Sequence, residues 1–157
     1  MTSERRTRTE PFTPGGRTGN PFLDHIGVQL EERRPGYARY RIPVVEEVRG
    51  GVAGSLHGGA VCTLVDIAAI GAVASMLKPD ERMAGTAEIN VSFLRPALGR
   101  TIYAEATLLK KGRTIAVCDV DVTSDGGKLV AKGRVNYALR PVALLGADEE
   151  TGRPTID

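Results

Sequence analysis

The sequence predicts an α+β domain in which one long central helix is wrapped by an antiparallel β-sheet of about six strands. Residues 55–77 place apolar side chains at spacings of three and four, as an α-helix requires, and most other positions there are apolar too. Two strand-like segments precede this helix and four follow it. Because an apolar sheet face must be buried against another element, we expect the strands to enclose the helix.

The composition fits one globular domain with a substantial core, because 41% of the 157 residues are hydrophobic and 25% are charged. The net charge is only +2 and tryptophan is absent, which argues against a nucleic-acid-binding surface. Residues 1–16 lack the apolar core of a signal peptide, so a cytoplasmic protein is expected. We predict a disordered basic tail (residues 1–19), a single domain (residues 20–140) and a flexible C-terminal tail (residues 141–157).

The domain is predicted to begin with a short helix and a hairpin. Asn20 is a suitable N-cap and Pro21 suits the first helical position. Residues 28–33 and 37–44 are predicted as two strands joined around the Pro-Gly pair at 35–36. A glycine-rich segment then leads into the long helix.

The long helix at residues 55–77 has Ser55 as its predicted N-cap and ends before Pro79. Its apolar side chains lie all round the axis, which predicts burial on every side. Asp66 interrupts the run, and the unbroken apolar part is too short to span a bilayer, so we expect a helix inside the protein and no membrane association. A buried carboxylate is costly unless it is hydrogen-bonded, paired or used, so Asp66 is either a structural carboxylate or the first candidate for function.

Four more strands are predicted after the helix. They lie at residues 86–94, 101–110, 113–124 and 128–139, and the last two are joined by a Ser-Asp-Gly-Gly hairpin turn. Each has a mainly apolar face, which we expect to cover the helix.

The two cysteines, Cys62 and Cys118, lie far apart in apolar surroundings. Neither has the spacing of a metal ligand. We therefore predict two buried free thiols and no metal site.

Several short motifs follow one another between residues 22 and 139. They are VEE at 45–47, GSLHGG at 54–59, a Leu-x-Asp that ends at Asp66, INVSFLRPA at 89–97 and LKKGRT at 109–114. In this combination the chain resembles the hotdog-fold acyl-CoA thioesterases. It is most similar to the phenylacetyl-CoA thioesterase type (PaaI-like) branch and to human thioesterase-superfamily-2-like proteins.

The resemblance implies a central helix in a curved sheet and hydrolysis of an acyl- or aryl-acyl-CoA to the free acid and CoA. It implies that the Gly58 or Gly59 amide polarises the thioester carbonyl, that Asp66 acts as general base or nucleophile, and that Thr86 helps to orient the water. His57 is expected to orient or cap the helix start rather than to act as the base. No cofactor is expected beyond the CoA of the substrate, and the active unit is expected to be a homodimer, assembled further into a tetramer.

One position departs from the family pattern. Members usually carry Asn or Gln six residues before the motif histidine, where this chain has Gly51. A non-catalytic hotdog protein that binds acyl-CoA or an acyl carrier therefore remains the alternative. A hotdog dehydratase or hydratase would need a catalytic histidine on or near the central helix. It ranks last because His57 precedes the helix and no second polar partner is evident.

Four basic residues fall at two predicted turns: Arg95, Lys110, Lys111 and Arg113. They form either a solvated basic rim or a landing site for the phosphates of CoA, which Lys and Arg side chains bind well.

The spacing along the helix also predicts a dimer. Asp66 follows Gly58 by eight residues, which is about 12 Å at the helical rise. A general base must lie within about 3 Å of its water. Asp66 and the glycine pair of one chain therefore cannot serve the same carbonyl, whereas two antiparallel copies of the helix would form two shared sites.

Overall fold

The computed structural model of the protein describes residues 18–142. Apart from residues 18, 19, 141 and 142, both predicted tails lie outside the described residues. The helices and strands, in chain order, are α1 (Pro21–His25), β1 (Gln29–Arg34), β2 (Tyr37–Pro43), α2 (Gly58–Ala74), β3 (Glu81–Phe93), β4 (Thr101–Lys111), β5 (Ile115–Ser124) and β6 (Leu129–Pro141).

The six strands form one sheet in the order β1-β2-β4-β5-β6-β3, and every neighbouring pair is antiparallel. The sheet curves around α2, which contacts all six strands. Inward-facing residues of the strands and one side of α2 make up a single hydrophobic core. The predicted α+β layout is confirmed.

The start of the domain follows the prediction. The Asn20 Oδ1 accepts hydrogen bonds from the N–H groups of Phe22 and Leu23, and Pro21 occupies the first position of α1. The hairpin of β1 and β2 turns at Gly36, whose φ of +73° suits glycine.

The long helix begins at Gly58, and its N-cap is His57, so the prediction of Ser55 as N-cap is wrong. The Nδ1 of His57 accepts a hydrogen bond of 2.9 Å from the Gly59 N–H, which confirms His57 as a capping residue. Ser55 has an extended backbone instead, at the end of a short 3₁₀ turn, and the chain enters the helix only after Leu56 has bridged to Arg49.

One face of α2 is buried against the sheet, whereas the opposite stripe is only half-buried, so burial on every side is not observed. We define this helix stripe as Cys62, Asp66, Ile67 and Ile70. Asp66 is thus partly accessible, contrary to its prediction as a buried carboxylate. The physical reason is that the sheet of one chain covers only one side of the helix. None of the helices within residues 18–142 combines the length and the hydropathy that a bilayer-spanning helix requires.

Strand β3 begins at Glu81, earlier than predicted, and lies at one edge of the sheet. Its predicted burial on one face is wrong: Ile89 is 40% exposed and Phe93 is 55% exposed. These side chains lie on the helix side of the sheet, opposite Val135 and Ala131 of β6. They are exposed because nothing within residues 18–142 continues the sheet beyond β3.

Both cysteines are free thiols, as predicted. Cys118 is buried, and burial raises the pKa of its thiol to about 11. Cys62 lies in the helix stripe and is only half-buried, so its predicted burial is wrong. Within residues 18–142, no three His, Cys, Asp or Glu side chains are placed to hold a metal ion.

Candidate active site

Asp66 and Thr86 meet where α2 passes the edge strand β3. The Thr86 hydroxyl donates a hydrogen bond of 2.6 Å to Oδ1 of Asp66. Asp66 forms no other hydrogen bond within residues 18–142, and its side chain is partly exposed. One carboxylate oxygen is therefore held in place while the other is available to a water molecule. This is the arrangement that a positioned general base requires.

Tyr137 is a neighbour of this pair that the sequence indicated only as part of an apolar strand face. It lies on β6 directly opposite Thr86 and is 6% exposed. Burial raises the pKa of its phenol, and the negative charge of Asp66 raises it further. Thr86 and Tyr137 are far apart in the sequence and become neighbours only through the pairing of β3 with β6. The sequence could have identified Tyr137 as a site residue only if it had revealed this strand register.

The two glycines at the start of α2 differ in what their amides can do. The Gly59 N–H donates to His57, whereas the Gly58 N–H has no acceptor within the described part of the chain. The first amides of a helix also carry the positive end of the helix dipole. Of the two predicted donors, only the Gly58 amide is free to polarise a carbonyl.

A cavity of about 380 Å³ opens beside this free amide. It is lined by Gly51, Ser55 and Gly58, by residues 93–97 and by Val130, among others. Asp66 does not line the cavity. Within one chain, the carboxylate and the free amide therefore face different spaces.

The position that carries Asn or Gln in the resembled family is closed in this chain. A Cβ atom built on Gly51 would lie 2.2 Å from the Oγ of Ser55 and 2.7 Å from the carbonyl oxygen of Leu56. Contacts this short do not occur in folded proteins, so no side chain fits at Gly51 without rearrangement.

The four basic residues lie at opposite ends of the sheet. Arg95 lines the cavity and donates to the Leu129 carbonyl. Lys110 and Arg113 are exposed at the far end of β4, which is about 35 Å long at the usual rise of a strand. Lys111 donates to both carboxylate oxygens of Glu81 at 2.5 Å.

A family model for the thioesterase superfamily matches residues 53–131, just over half of the chain. The chain belongs to the thioesterase superfamily. The matched region contains α2, β3 and both Asp66 and Gly58. The predicted hotdog fold and the predicted class of thioester hydrolase are thereby confirmed.

Three comparisons illustrate the likeness of this thioesterase to known proteins. It is 39% identical to a putative esterase of Halobacterium salinarum over 66% of this chain and 70% of that protein. It is 38% identical to human acyl-coenzyme A thioesterase 13 over 57% of this chain, and the match spans 64% of the human protein. A Bacillus halodurans protein, BH2602, solved with CoA, is 27% identical, with a TM-score of 0.60 over 64% of this chain and 66% of that chain.

Proposed function

We propose that the protein is an acyl-CoA thioesterase that hydrolyses acyl- or aryl-acyl-CoA to the free acid and CoA. The observation that carries this proposal is the Asp66 carboxylate, held by Thr86 through one oxygen and open at the other. Similarity to human acyl-coenzyme A thioesterase 13 and to a protein solved with CoA supports acyl-CoA as the substrate class. The PaaI-like branch, and with it a preference for aryl-acyl groups, remains a prediction.

The active unit in this proposal is a homodimer formed along β3. This edge strand has 13 residues, whereas β1 at the other edge has only six. A long edge with exposed apolar residues such as Ile89 and Phe93 favours pairing with another strand. A second copy of β3, added antiparallel, would continue the sheet and cover the helix stripe of α2 with the partner's helix. Assembly of such dimers into a tetramer remains a prediction.

Two antiparallel helices bring the separated parts of the site together. Asp66 of one subunit then lies across from Gly58 of the partner subunit. Asp66 takes a proton from water, and the oxygen of that water attacks the thioester carbon while the carbonyl oxygen accepts a hydrogen bond from Gly58 of the partner subunit. The tetrahedral intermediate collapses, the C–S bond breaks, and the CoA sulfur leaves and takes up the proton. Direct attack by Asp66, which forms a mixed anhydride that water then cleaves, is the second form of the mechanism.

The same assembly assigns roles to the basic residues. Arg95 lies at the cavity rim beside the free amide, where it can receive a phosphate of CoA. Lys110 and Arg113 lie at the end of the sheet that an antiparallel partner brings toward the other subunit's cavity. Lys111 is the weakest candidate for a phosphate contact, because Glu81 already balances its charge.

Release of free CoA from a panel of acyl- and aryl-acyl-CoA esters tests this function. Asp66→Asn should lower kcat by about 100- to 10,000-fold, the usual contribution of a general base. Asp121→Asn is the matched control, because Asp121 is an exposed carboxylate that pairs with Lys132. CoA binding with no release by the wild type on any ester would favour the non-catalytic alternative. Full activity in Asp66→Asn would remove Asp66 from the mechanism.

A further inference from the structure

We propose that the hydroxyl of Ser55 is a second donor to the thioester carbonyl oxygen, beside the Gly58 amide. This inference rests on the proposed hydrolysis and identifies what replaces the missing Asn or Gln side chain at Gly51. Ser55 would touch the reacting carbonyl and is a catalytic residue in that sense.

The first argument is the place of the hydroxyl. The Oγ of Ser55 lies 2.2 Å from the point where a Cβ on Gly51 would stand. A side chain at residue 51 and the present Ser55 rotamer are therefore mutually exclusive. The Ser55 oxygen lies where a longer polar side chain at residue 51 would begin. Gly51 and Ser55 both line the same cavity.

The second argument concerns the backbone N–H groups around the start of α2 and the acceptors that they already have. Between residues 55 and 59, four backbone N–H groups are already engaged, and only the Gly58 N–H has no acceptor among the residues that the structure describes. The engaged pairs are Ser55 N–H to the Val52 carbonyl, Leu56 N–H to the Ala97 carbonyl, His57 N–H to the Val48 carbonyl and Gly59 N–H to His57 Nδ1. Of these five amides, only that of Gly58 is left for a ligand, so a side chain is the nearest source of a second donor to a carbonyl oxygen with two lone pairs.

The third argument is the state of the hydroxyl itself. Ser55 is only 3% exposed, yet its Oγ forms no hydrogen bond within residues 18–142. Every fully buried side-chain nitrogen or oxygen in this part of the chain does have a partner, so the Ser55 Oγ is reached from the cavity. A nearly buried hydroxyl with no protein partner is poised to donate to a ligand.

A fixed hydroxyl and a fixed amide suit the chemistry of the proposed reaction. Negative charge develops on the carbonyl oxygen as water adds, and donors that are already oriented stabilise that charge without rearranging. Both groups are neutral, so they add no net charge to the shared site.

Ser55→Ala tests the proposal through two measurements, kcat and the melting temperature. Removal of a purely structural serine would lower both, whereas removal of a donor to the substrate would lower kcat alone. We expect kcat to fall by roughly 10- to 1,000-fold, in line with the loss of one oxyanion donor, with a smaller change in KM. The melting temperature should stay the same or rise, because the Ser55 hydroxyl has no hydrogen bond within residues 18–142 to lose. Ser124→Ala, at another buried serine that does not line the cavity, is the control and should keep its activity.

A carbonyl probe separates failure of this inference from failure of the proposed function. The probe is an acyl-CoA analogue in which a methylene replaces the sulfur, so that a ¹³C-labelled ketone binds without hydrolysis. Its infrared carbonyl band should lie at higher frequency in Ser55→Ala than in the wild type, and at an unchanged frequency in Asp66→Asn. An unchanged band and unchanged kcat in Ser55→Ala would overturn the role of Ser55, while inactive Asp66→Asn would still support the hydrolase. If the wild type releases no CoA but the carbonyl band still differs between the wild type and Ser55→Ala, the proposed hydrolysis is overturned and Ser55 remains a ligand of the carbonyl.

Discussion

Glu81 and Lys111 illustrate how a single ion pair can fix the end of a strand. Both carboxylate oxygens of Glu81 accept from Lys111, and one also accepts from the Lys78 N–H. The hydrogen bond from Lys111 is the largest cause of a lowered pKa at Glu81. The pair joins the first residue of β3 to the last residue of β4, at the end of the sheet away from the cavity.

The pH dependence of stability should carry the signature of this pair. Because the pKa of Glu81 is lowered in the folded state, its stabilising effect is complete above the ordinary glutamate pKa of about 4.3 and is lost as the pH falls through the folded value. Glu81→Gln should therefore lower the urea midpoint at pH 7, and the difference from the wild type should shrink toward pH 3. Glu46→Gln, at a side chain 90% exposed, is the control. A difference that stays constant with pH would point to packing rather than charge.

The residues of the site were predictable to different degrees. The resemblance located Asp66, Thr86 and the glycine pair, and the structure brings Asp66 and Thr86 together. It gave no means of separating Gly58 from Gly59, because that difference depends on the rotamer of His57. The sequence predicts Ser55 as a helix cap, because local sequence does not reveal which amides are satisfied by contacts with distant segments.

At the scale of elements, α2 approaches the sheet most closely at a glycine. A Cβ on Gly71 would lie 2.9 Å from the Cβ of Ala38 and 2.8 Å from Cε2 of Tyr40, both on β2. Ala38 is fully buried and has no rotamer to change. The small residue at this crossing thus sets the distance between the helix and the sheet.

Gly71→Ala should destabilise the domain although alanine is the better helix former. Overpacking of a tight core costs about 1–3 kcal/mol, whereas the gain in helix propensity is at most about 1 kcal/mol, so the net change should be destabilising over most of this range. Urea unfolding followed by circular dichroism measures the change. Gly58→Ala is the matched substitution in the same helix, because its Cβ would stand 3.6 Å from Phe93, an ordinary contact. Equal stabilisation by both substitutions would contradict the tight crossing.

Strand positions were well predicted where alternation was regular, as in β4 and β6. The sequence does not predict the start of β3, because the register of this strand shifts twice, between Met83 and Gly85 and between Thr86 and Glu88. Each bulge reverses the pattern of inward and outward residues, so residues 81–85 do not resemble a strand. The exposure of β3 is not predictable either, because a sequence pattern shows which face of a strand is apolar but not whether the same chain covers that face.

The whole molecule divides its proposed chemistry between two places. The Asp66 carboxylate lies in the helix stripe, and the free Gly58 amide lies at the cavity by the helix start. A spacing of about 12 Å along α2 exceeds the reach of any single hydrogen bond. A shared site predicts that two different defects can complement each other within one dimer, whereas a site within one chain predicts that they cannot.

Two variants make this test sharp. Asp66→Asn removes the base and keeps the amide. Gly58→Pro removes the N–H and keeps the helix, because proline is favoured at the first helical position and His57, with φ −59° and ψ 137°, already has the backbone of a residue before proline. Each variant alone should form an inactive dimer. After unfolding and refolding at equal concentration, the mixture should recover about one quarter of wild-type activity, since half of the dimers are mixed and each has one intact site.

The controls decide between a shared site and a repaired fold. Gly58→Ala keeps the amide and should lose far less activity than Gly58→Pro, which ties the defect to the N–H rather than to the added carbon. Refolding either inactive variant with itself should recover nothing, and light scattering should report a dimer in every sample. Ile89→Lys should interrupt the pairing of β3 and make the chains monomeric. If the recovered activity then disappears, the shared site depends on this edge of the sheet. Mixed dimers that form but stay inactive would instead place the whole reaction in one chain, and the proposed pairing of Asp66 with the partner's Gly58 would be wrong.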